Sequence, residues 1–107
     1  MKGVLLKFYM HENRKHHHIL LYEWLIEQAK KLGIGGGTVL RGIAGFGRHG
    51  ILHEQHFLEL AGDLPLEVEI LADEQEAEKL LQLIARENIS MVYVKIPAEI
   101  GTINGNA

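Results

Sequence analysis

The sequence predicts an α+β protein with a ferredoxin-like two-layer fold, in which two helices cover one face of a four-stranded antiparallel sheet. The main observation is the order of apolar patterns, which read strand–helix–strand twice within 107 residues, the βαββαβ order of ferredoxin-like domains. Composition agrees, because 47% hydrophobic and 23% charged residues are typical of globular proteins. The length fits a single domain over residues 1–107.

The first half of the chain contains two predicted strands separated by one helix. Apolar and polar residues alternate over 4–10, which is the period of a half-buried strand. Apolar residues at helical spacing then predict a helix over 15–32, with Asn13 as its cap and Gly33 as its stop. Alternation resumes over 38–46 and predicts the second strand.

The second half repeats this order with clearer signals at the ends of its elements. Alternation over 66–71 predicts the third strand. Asp73 and Glu76 have the spacing of a capping box, which predicts the start of the second helix. Asn88 is predicted to end that helix in a left-handed conformation, and the fourth strand follows over 89–96.

Two segments are predicted to lie outside the helices and strands. Residues 47–63 show weak periodicity and are expected to form a long loop between the second and third strands. Residues 101–107 are expected to form a flexible tail. Trp24 stands among apolar residues at helical spacing, so we expect it in the core rather than at a binding site.

One face of the sheet is predicted to have no helix covering it. Apolar and charged residues interleave on that face, and the predicted register places there Leu5, Lys7, Tyr9, Val39, Arg41, Ile43, Glu67, Glu69 and Leu71. Large exposed apolar patches are typical of interfaces, so this face predicts an oligomer. The alternative is a monomer with a mixed, solvated sheet face.

Composition argues against several classes of function. The formal net charge is -3 and the basic residues do not cluster, so no nucleic-acid partner is expected. Because the chain has no Cys, it has no disulfide, thiolate metal site or Cys nucleophile. No stretch reaches the roughly 18 apolar residues of a membrane span, and the apolar N-terminus has the pattern of a strand rather than a signal peptide. We therefore expect a cytoplasmic protein that does not insert into a membrane.

A glycine-rich strand and the residues that follow it carry a family resemblance. The distinctive features are the run Gly37-Thr38-Val39-Leu40-Arg41-Gly42-Ile43-Ala44-Gly45-Phe46-Gly47, then Gly50 and His53, and then Asp63-Leu64-Pro65 ahead of a strand with Glu69-Ile70. From Leu5 to about Ile96 the chain resembles the domain of unknown function 190 family, which is PII-like. The resemblance implies a fold related to the nitrogen regulatory PII proteins and to CutA.

The resemblance also implies a trimer and a mode of action. PII proteins hold adenine nucleotides such as ATP or ADP in the clefts between subunits. Their long loop acts on a partner protein, often a membrane transporter or an enzyme. By that analogy the 47–63 loop would contact the partner, and the ligand-binding candidates are Arg41, Gly45, Gly47, Arg48, His49 and Lys95. Lys95 is included because the fourth strand lines the cleft in PII-like trimers.

The chain departs from the PII pattern in two places. Residues 86–91 contain neither the Gly nor the Lys of the PII phosphate-binding loop. The 47–63 loop has no Tyr, so we do not expect covalent modification at that position. Arg41 also has a structural interpretation, an ion pair with Glu67 or Glu69 across the sheet or across the trimer.

The Gly45–Gly50 segment spells G-x-G-x-x-G, but no helix is predicted after it, so a dinucleotide fingerprint is not indicated. Two interpretations remain open. Its backbone N–H groups form an anion-binding nest, with Arg48 beside it, or its glycines allow close packing.

The loop histidines predict an alternative function. His49, His53 and His56 recur at spacings of four and three and would share one face of a helix, where they suit Zn²⁺ or Cu²⁺. The chain would then be a divalent-metal-binding trimer of the CutA kind. The run His16–His18 falls in the first turn of the predicted helix, where three consecutive side chains point about 100° apart and cannot share one metal.

Catalytic residues are sparse. The chain has no Cys and a single Ser, Ser90, which has no His beside it in the sequence. Glu67 and Glu69 share a strand face, but nothing in the sequence marks a pocket around them. We therefore expect a regulatory protein and not an enzyme.

Overall fold

The structure, a computed structural model, describes residues 1–46 and 63–105. The strands of the main sheet are β1 (Lys2–His11), β4 (Gly36–Arg41), β5 (Pro65–Ala72) and β6 (Val92–Glu99). This sheet is antiparallel, with strand order β4–β5–β1–β6. A hairpin of β2 (Lys15–His16) and β3 (Ile19–Leu20) precedes helix α1 (Leu21–Lys31), and α2 spans Glu74–Arg86. The predicted α+β, ferredoxin-like architecture is confirmed.

The central strand β1 organises the core by strict alternation. Leu6 and Phe8 are fully buried, and they pair with Ile70 and Val68 of β5, which are fully buried as well. Residues paired across two strands share one face of a sheet, so these four side chains lie on the same face. It is the face that the helices cover. Helix α1 covers them with Leu21, Trp24, Leu25 and Ala29, and α2 covers them with Ala77, Leu80 and Ile84. Trp24 is 8% exposed, so its predicted place in the core is confirmed.

The first helix begins later than its apolar periodicity predicts. Residues 15–20 form the β2–β3 hairpin instead, with His17 and His18 in the left-handed region at φ 50° and 70°. A helix cannot pass through two such residues. The N–H of Leu21 donates to the carbonyl of Arg14 over 2.7 Å and closes the hairpin. The prediction of Asn13 as the helix cap is therefore wrong, and the helix follows Leu20.

The second predicted strand ends at Arg41 rather than at residue 46. The N–H of Gly42 donates to the carbonyl of Pro65 over 2.7 Å, and no strand continues beyond it within the described part of the chain. The register also differs from expectation, because Val39 pairs with the buried Val68, and Arg41 pairs with Leu66. Both therefore lie on the helix-covered side, and the prediction that places them on the open face is wrong. The same prediction for Ile43 is wrong because β4 ends before that residue. A shift of one residue moves every side chain of a strand to the other face.

The end of α2 explains the late start of the last strand. Asn88 adopts φ 57°, as predicted, and the N–H of Ile89 donates back to the carbonyl of Ile84. The chain thus uses its first residues after the helix to satisfy the helix end. As a result β6 starts at Val92 and not at residue 89, and it runs on to Glu99. None of the helices in the described residues is long and apolar enough to cross a membrane.

The capping box of α2 provides a test of the fold. The Asp73 carboxylate accepts from the N–H of Glu76 over 2.7 Å, and the Glu76 carboxylate accepts from the N–H of Asp73 over 3.0 Å. We expect Asp73→Ala to lower the free energy of unfolding by about 1 kcal/mol, because it removes a cap. Urea denaturation at fixed protein concentration measures this, with the exposed Glu78→Ala on the same helix as control. Equal stability of the two variants would contradict the expectation.

Candidate functional site

The sheet face opposite the helices is largely apolar and has no covering layer among the described residues. We call it the open face. The strand register places on it the side chains of Leu5, Tyr9, Leu40, Leu71, Val92, Val94 and Ile96. All except Leu5 remain 39–44% exposed. An apolar surface contributed by every strand of a sheet is typical of a protein–protein interface.

A cluster of charged side chains lies in the middle of the open face. Lys7 Nζ lies 3.7 Å from a carboxylate oxygen of Glu67 and 3.8 Å from one of Glu69. The Tyr9 hydroxyl donates to Glu67 Oε1 over 3.0 Å. Partial burial and this hydrogen bond raise the pKa of Tyr9. Each carboxylate of this cluster lies beside Lys7, so a layer that covers the open face would meet a cluster of one positive and two negative charges in mutual contact.

Arg41, a predicted ligand-binding residue, lies at the end of β4 and forms an ion pair with Glu12. The guanidinium is on the exposed side of this pair, with 63% of the side chain accessible against 18% for Glu12. The predicted pairing of Arg41 with Glu67 or Glu69 across the sheet of one chain is wrong, because those carboxylates lie on the other face of the sheet. Their pairing across a trimer stays a prediction. Arg41 is thus held in place while remaining accessible to a ligand.

The glycines after Arg41 pack closely against the start of β5. A Cβ atom on Gly42 would lie 3.1 Å from Pro65 Cγ, and one on Gly45 would lie 3.2 Å from the same atom. This contact supports close packing as a reason for glycine at positions 42 and 45. The anion-nest interpretation of Gly45–Gly50 stays a prediction, because most of that segment lies outside the described residues. Between and after these glycines, Ile43 and Phe46 are 90% and 79% exposed. The end of β4 therefore presents two large apolar side chains to solvent.

Lys95, the other described cationic candidate, lies on β6 and forms an ion pair with Glu74 of α2. The hydrogen bond to Glu74 raises the pKa of Lys95. Arg41 and Lys95 occupy the two opposite edge strands of the sheet. Three strand spacings of about 4.8 Å separate those edges, roughly 14 Å, so one subunit does not bring the two cations together. A site that used both would lie between the edges of two subunits.

Several further predicted positions lie outside the described residues. Gly47, Arg48 and His49 of the ligand prediction fall there, as do His53 and His56 of the alternative metal site. Both predictions remain predictions at these positions.

A contact that sequence reasoning missed joins the β2–β3 hairpin to the end of α2. His16 Nε2 lies 2.8 Å from Glu87 Oε1, and His17 Nε2 lies 3.5 Å from the same oxygen. The hydrogen bond with His16 lowers the pKa of Glu87. The adjacent histidines are a signal for the turn of this hairpin, since His is one of the few side chains enriched in the left-handed conformation. The separation of 71 residues between His16 and Glu87 put the contact itself beyond any local pattern.

Comparison of the sequence with known proteins finds a family without an assigned function. The family pattern DUF190, described as Uncharacterized ACR, matches residues 3–95. A UPF0166 protein of Aquifex aeolicus strain VF5 is 29% identical over 102 residues, covering 88% of this chain and 97% of that one. A UPF0166 protein of Methanocaldococcus jannaschii is 32% identical over 81 residues, covering 76% of this chain and 74% of that one.

Comparison of the structure with solved structures identifies the fold. CPII from Thiomonas intermedia K12, described as a nitrogen regulatory PII-like protein bound to ADP, AMP and bicarbonate, matches with a TM-score of 0.64 and 17% identity. That match covers 94% of this chain and 97% of CPII. A protein from Thermus thermophilus, described as a PII-like signaling protein, matches with a TM-score of 0.60 and 19% identity over 91% of this chain and 86% of its own. The fold is therefore PII-like.

The Tyr9–Glu67 contact predicts a specific pH dependence. Because the folded state raises the pKa of Tyr9, its contribution to stability is present below about pH 10 and is lost as the pH rises through the raised value. We expect the tyrosinate absorbance difference between the wild type and Tyr9→Phe to have a midpoint above that of free tyrosine. Tyr22→Phe controls for loss of one tyrosine, and a midpoint for Tyr9 at or below the free value would contradict the assignment.

Proposed function

This chain belongs to the domain of unknown function 190 family, and from that premise we propose that it is a PII-like regulatory protein. It binds an adenine nucleotide in the clefts between subunits of a homotrimer. Nucleotide binding changes the 47–63 loop and so changes contact with a partner protein, for which a membrane transporter is one candidate. In this proposal the protein works in the cytoplasm as a regulator and not as an enzyme.

The observation that carries the nucleotide part is the shared fold with CPII, a protein described as bound to ADP and AMP. Two cations of this chain suit such a ligand, because Arg41 and Lys95 are accessible at the two edges of the sheet. Guanidinium and ammonium groups form charge-assisted hydrogen bonds with phosphate oxygens. Each cation is already oriented by a carboxylate, and one partner of each pair, Arg41 in the first and Glu74 in the second, is more than half exposed, so a phosphate group can compete for the cation.

The open face supports the trimeric part of the proposal. Its apolar side chains come from all four strands. The charged side chains at its centre, Lys7, Glu67 and Glu69, contact one another within the chain. Covering this surface with copies of itself removes apolar area from water at a gain of about 25 cal/mol per Å². Packing sheets around a common axis also brings the β4 edge of one subunit toward the β6 edge of the next. That arrangement places Arg41 and Lys95 of different subunits on one cleft.

The Arg41–Glu12 pair offers a physical link between ligand and loop. Arg41 lies before the loop, and the N–H of Glu12 donates to the carbonyl of Leu64 at its far end over 2.8 Å. The N–H of Asn13 likewise donates to Asp63 Oδ1 over 3.0 Å. The pair thus bridges the two ends of the loop. A phosphate group that draws Arg41 away from Glu12 favours a different loop state, which is a population shift driven by differential affinity.

Titration calorimetry tests the nucleotide proposal directly. Tag-free, EDTA-treated protein is titrated with ATP, ADP, AMP and cyclic di-AMP, with and without Mg²⁺. We expect one nucleotide per subunit, and a tenfold or greater loss of affinity in Arg41→Ala and in Arg48→Ala, because each removes a charge-assisted hydrogen bond. The control is Lys31→Ala, which removes one exposed positive charge from α1 and should leave the nucleotide affinity unchanged. Absence of heat with every nucleotide would limit the PII likeness to architecture.

Sedimentation equilibrium tests the trimer. The wild type should sediment as three chains of 12.0 kDa, about 36 kDa in all. Val94→Lys places a second ammonium group directly beside Lys7 on the open face, which adds a charge to the surface to be buried and should shift the mass toward one chain. Glu78→Lys introduces the same side chain on the exposed side of α2 and should leave the trimer intact. A wild-type monomer, or a Val94→Lys trimer of unchanged stability, would contradict the proposed interface.

A further inference from the structure

Two histidines and one glutamate meet where the β2–β3 hairpin contacts the end of α2. One imidazole nitrogen from each of His16 and His17 and one carboxylate oxygen of Glu87 all lie within 4.8 Å of one another. The imidazole rings of His16 and His17 have centroids 4.0 Å apart. Two imidazoles and a carboxylate form a donor set typical of zinc sites with a solvent-filled position.

The backbone of the hairpin is what brings the two imidazoles together. Neighbouring side chains along a strand point to opposite faces, so His16 and His17 would diverge in regular β structure. Instead His17 and His18 are both left-handed, at φ 50° and 70°, in a two-residue turn. Asn and Gly are the residues that such turns favour. Backbone strain of this kind persists where surrounding structure holds it, and it is concentrated at functional sites.

The position of Glu87 is a second, independent observation. Its carboxylate lies just beyond the last residue of α2, at the negative end of the helix dipole. An acidic side chain is unfavourable there unless a cation lies beside it. The His16 side chain is 13% exposed, whereas that of His17 is 76% exposed. The cluster therefore has one largely enclosed ligand, one ligand open to solvent and a carboxylate that favours a positive charge.

We propose that His16, His17 and Glu87 form a Zn²⁺ site that fastens the β2–β3 hairpin to the C-terminal end of α2. Ligands of tetrahedral zinc with bonds of about 2.0–2.1 Å stand about 3.3 Å apart. The two measured nitrogen–oxygen distances, 2.8 and 3.5 Å, lie on either side of that value. The third separation, between the ligand nitrogens of His16 and His17, is within 4.8 Å. Coordination therefore needs the exposed His17 ring to turn toward the other two ligands, and water takes the fourth position. The site is separate from the proposed nucleotide cleft.

Trp24 supplies a local probe. Its ring packs edge-on against His16, with centroids 4.9 Å apart, and it is the chain's single tryptophan. Cu²⁺ shares the preference of Zn²⁺ for imidazole ligands and quenches the fluorescence of a nearby indole. Quenching of Trp24 fluorescence by Cu²⁺, reversed by excess EDTA, therefore reports metal at this position.

The test uses the tag-free full-length chain, stripped with EDTA and titrated with Zn²⁺ by calorimetry and with Cu²⁺ by fluorescence. We expect one Zn²⁺ per chain and at least a tenfold loss of affinity in His17→Asn and in Glu87→Gln. Asn tolerates the left-handed conformation, so His17→Asn removes the imidazole and keeps the turn. His18→Asn is the matched control, since it occupies the same turn at φ 70° without belonging to the cluster.

A further variant separates this site from the loop histidines. The triple variant His49→Ala, His53→Ala, His56→Ala should retain the Zn²⁺ affinity and the Trp24 quenching of the wild type. Loss of binding in that variant would overturn the proposal, because the metal would then be held by the loop. Equal affinity of His17→Asn and His18→Asn, or absence of Zn²⁺ binding in the wild type, would overturn it as well. None of these outcomes depends on whether a nucleotide binds.

Discussion

The register of β1 against its two neighbours is the constraint on which the rest of the molecule depends. Pairing Phe8 with Val68 and with Tyr93 places one set of alternate side chains under the helices and the other set on the open face. A slip of one residue would bury Lys7 beneath the helices and expose Phe8. Because Lys7 instead meets two glutamates from β5, the same register gives both the dry core and the paired charges outside it.

Sequence patterns predicted the elements whose local signals agree with the tertiary contacts. The alternation of β1 and β5 and the capping box at Asp73 are such cases, because each signal is satisfied by residues nearby in sequence or by burial on one face. The predictions that were wrong concern residues whose local signals disagree with their tertiary contacts. The histidine run precedes a helix and has helical spacing, yet it forms a left-handed turn that accompanies the tertiary contact of His16 with Glu87.

The face of β4 was unpredictable for a different reason. Both sets of alternate residues in 36–41 contain glycine and aliphatic side chains, so burial alone does not distinguish the two registers. In the structure Gly37 is on the face that the helices cover. A Cβ atom at this position would lie 3.1 Å from Ile70 and 3.3 Å from Ile26. A larger residue there would have to displace these two side chains, one of which comes from α1. Arg41 consequently lies on the helix-covered side, within reach of Glu12 rather than of Glu67.

The connection between β1 and α1 therefore does more than join two elements. At Glu12 and Asn13 it is bonded to the segment that ends the 47–63 loop, and through Glu12 to Arg41 before that loop. A few residues later, at His16, it is bonded to the end of α2. The contact of His16 with the end of α2 therefore restrains the connection between β1 and α1, which is also the stretch of backbone bonded to the segments on either side of the loop. This short connection therefore contacts Arg41, the segment that ends the loop and the end of α2 within a few residues, so a change in its position would alter all three contacts together.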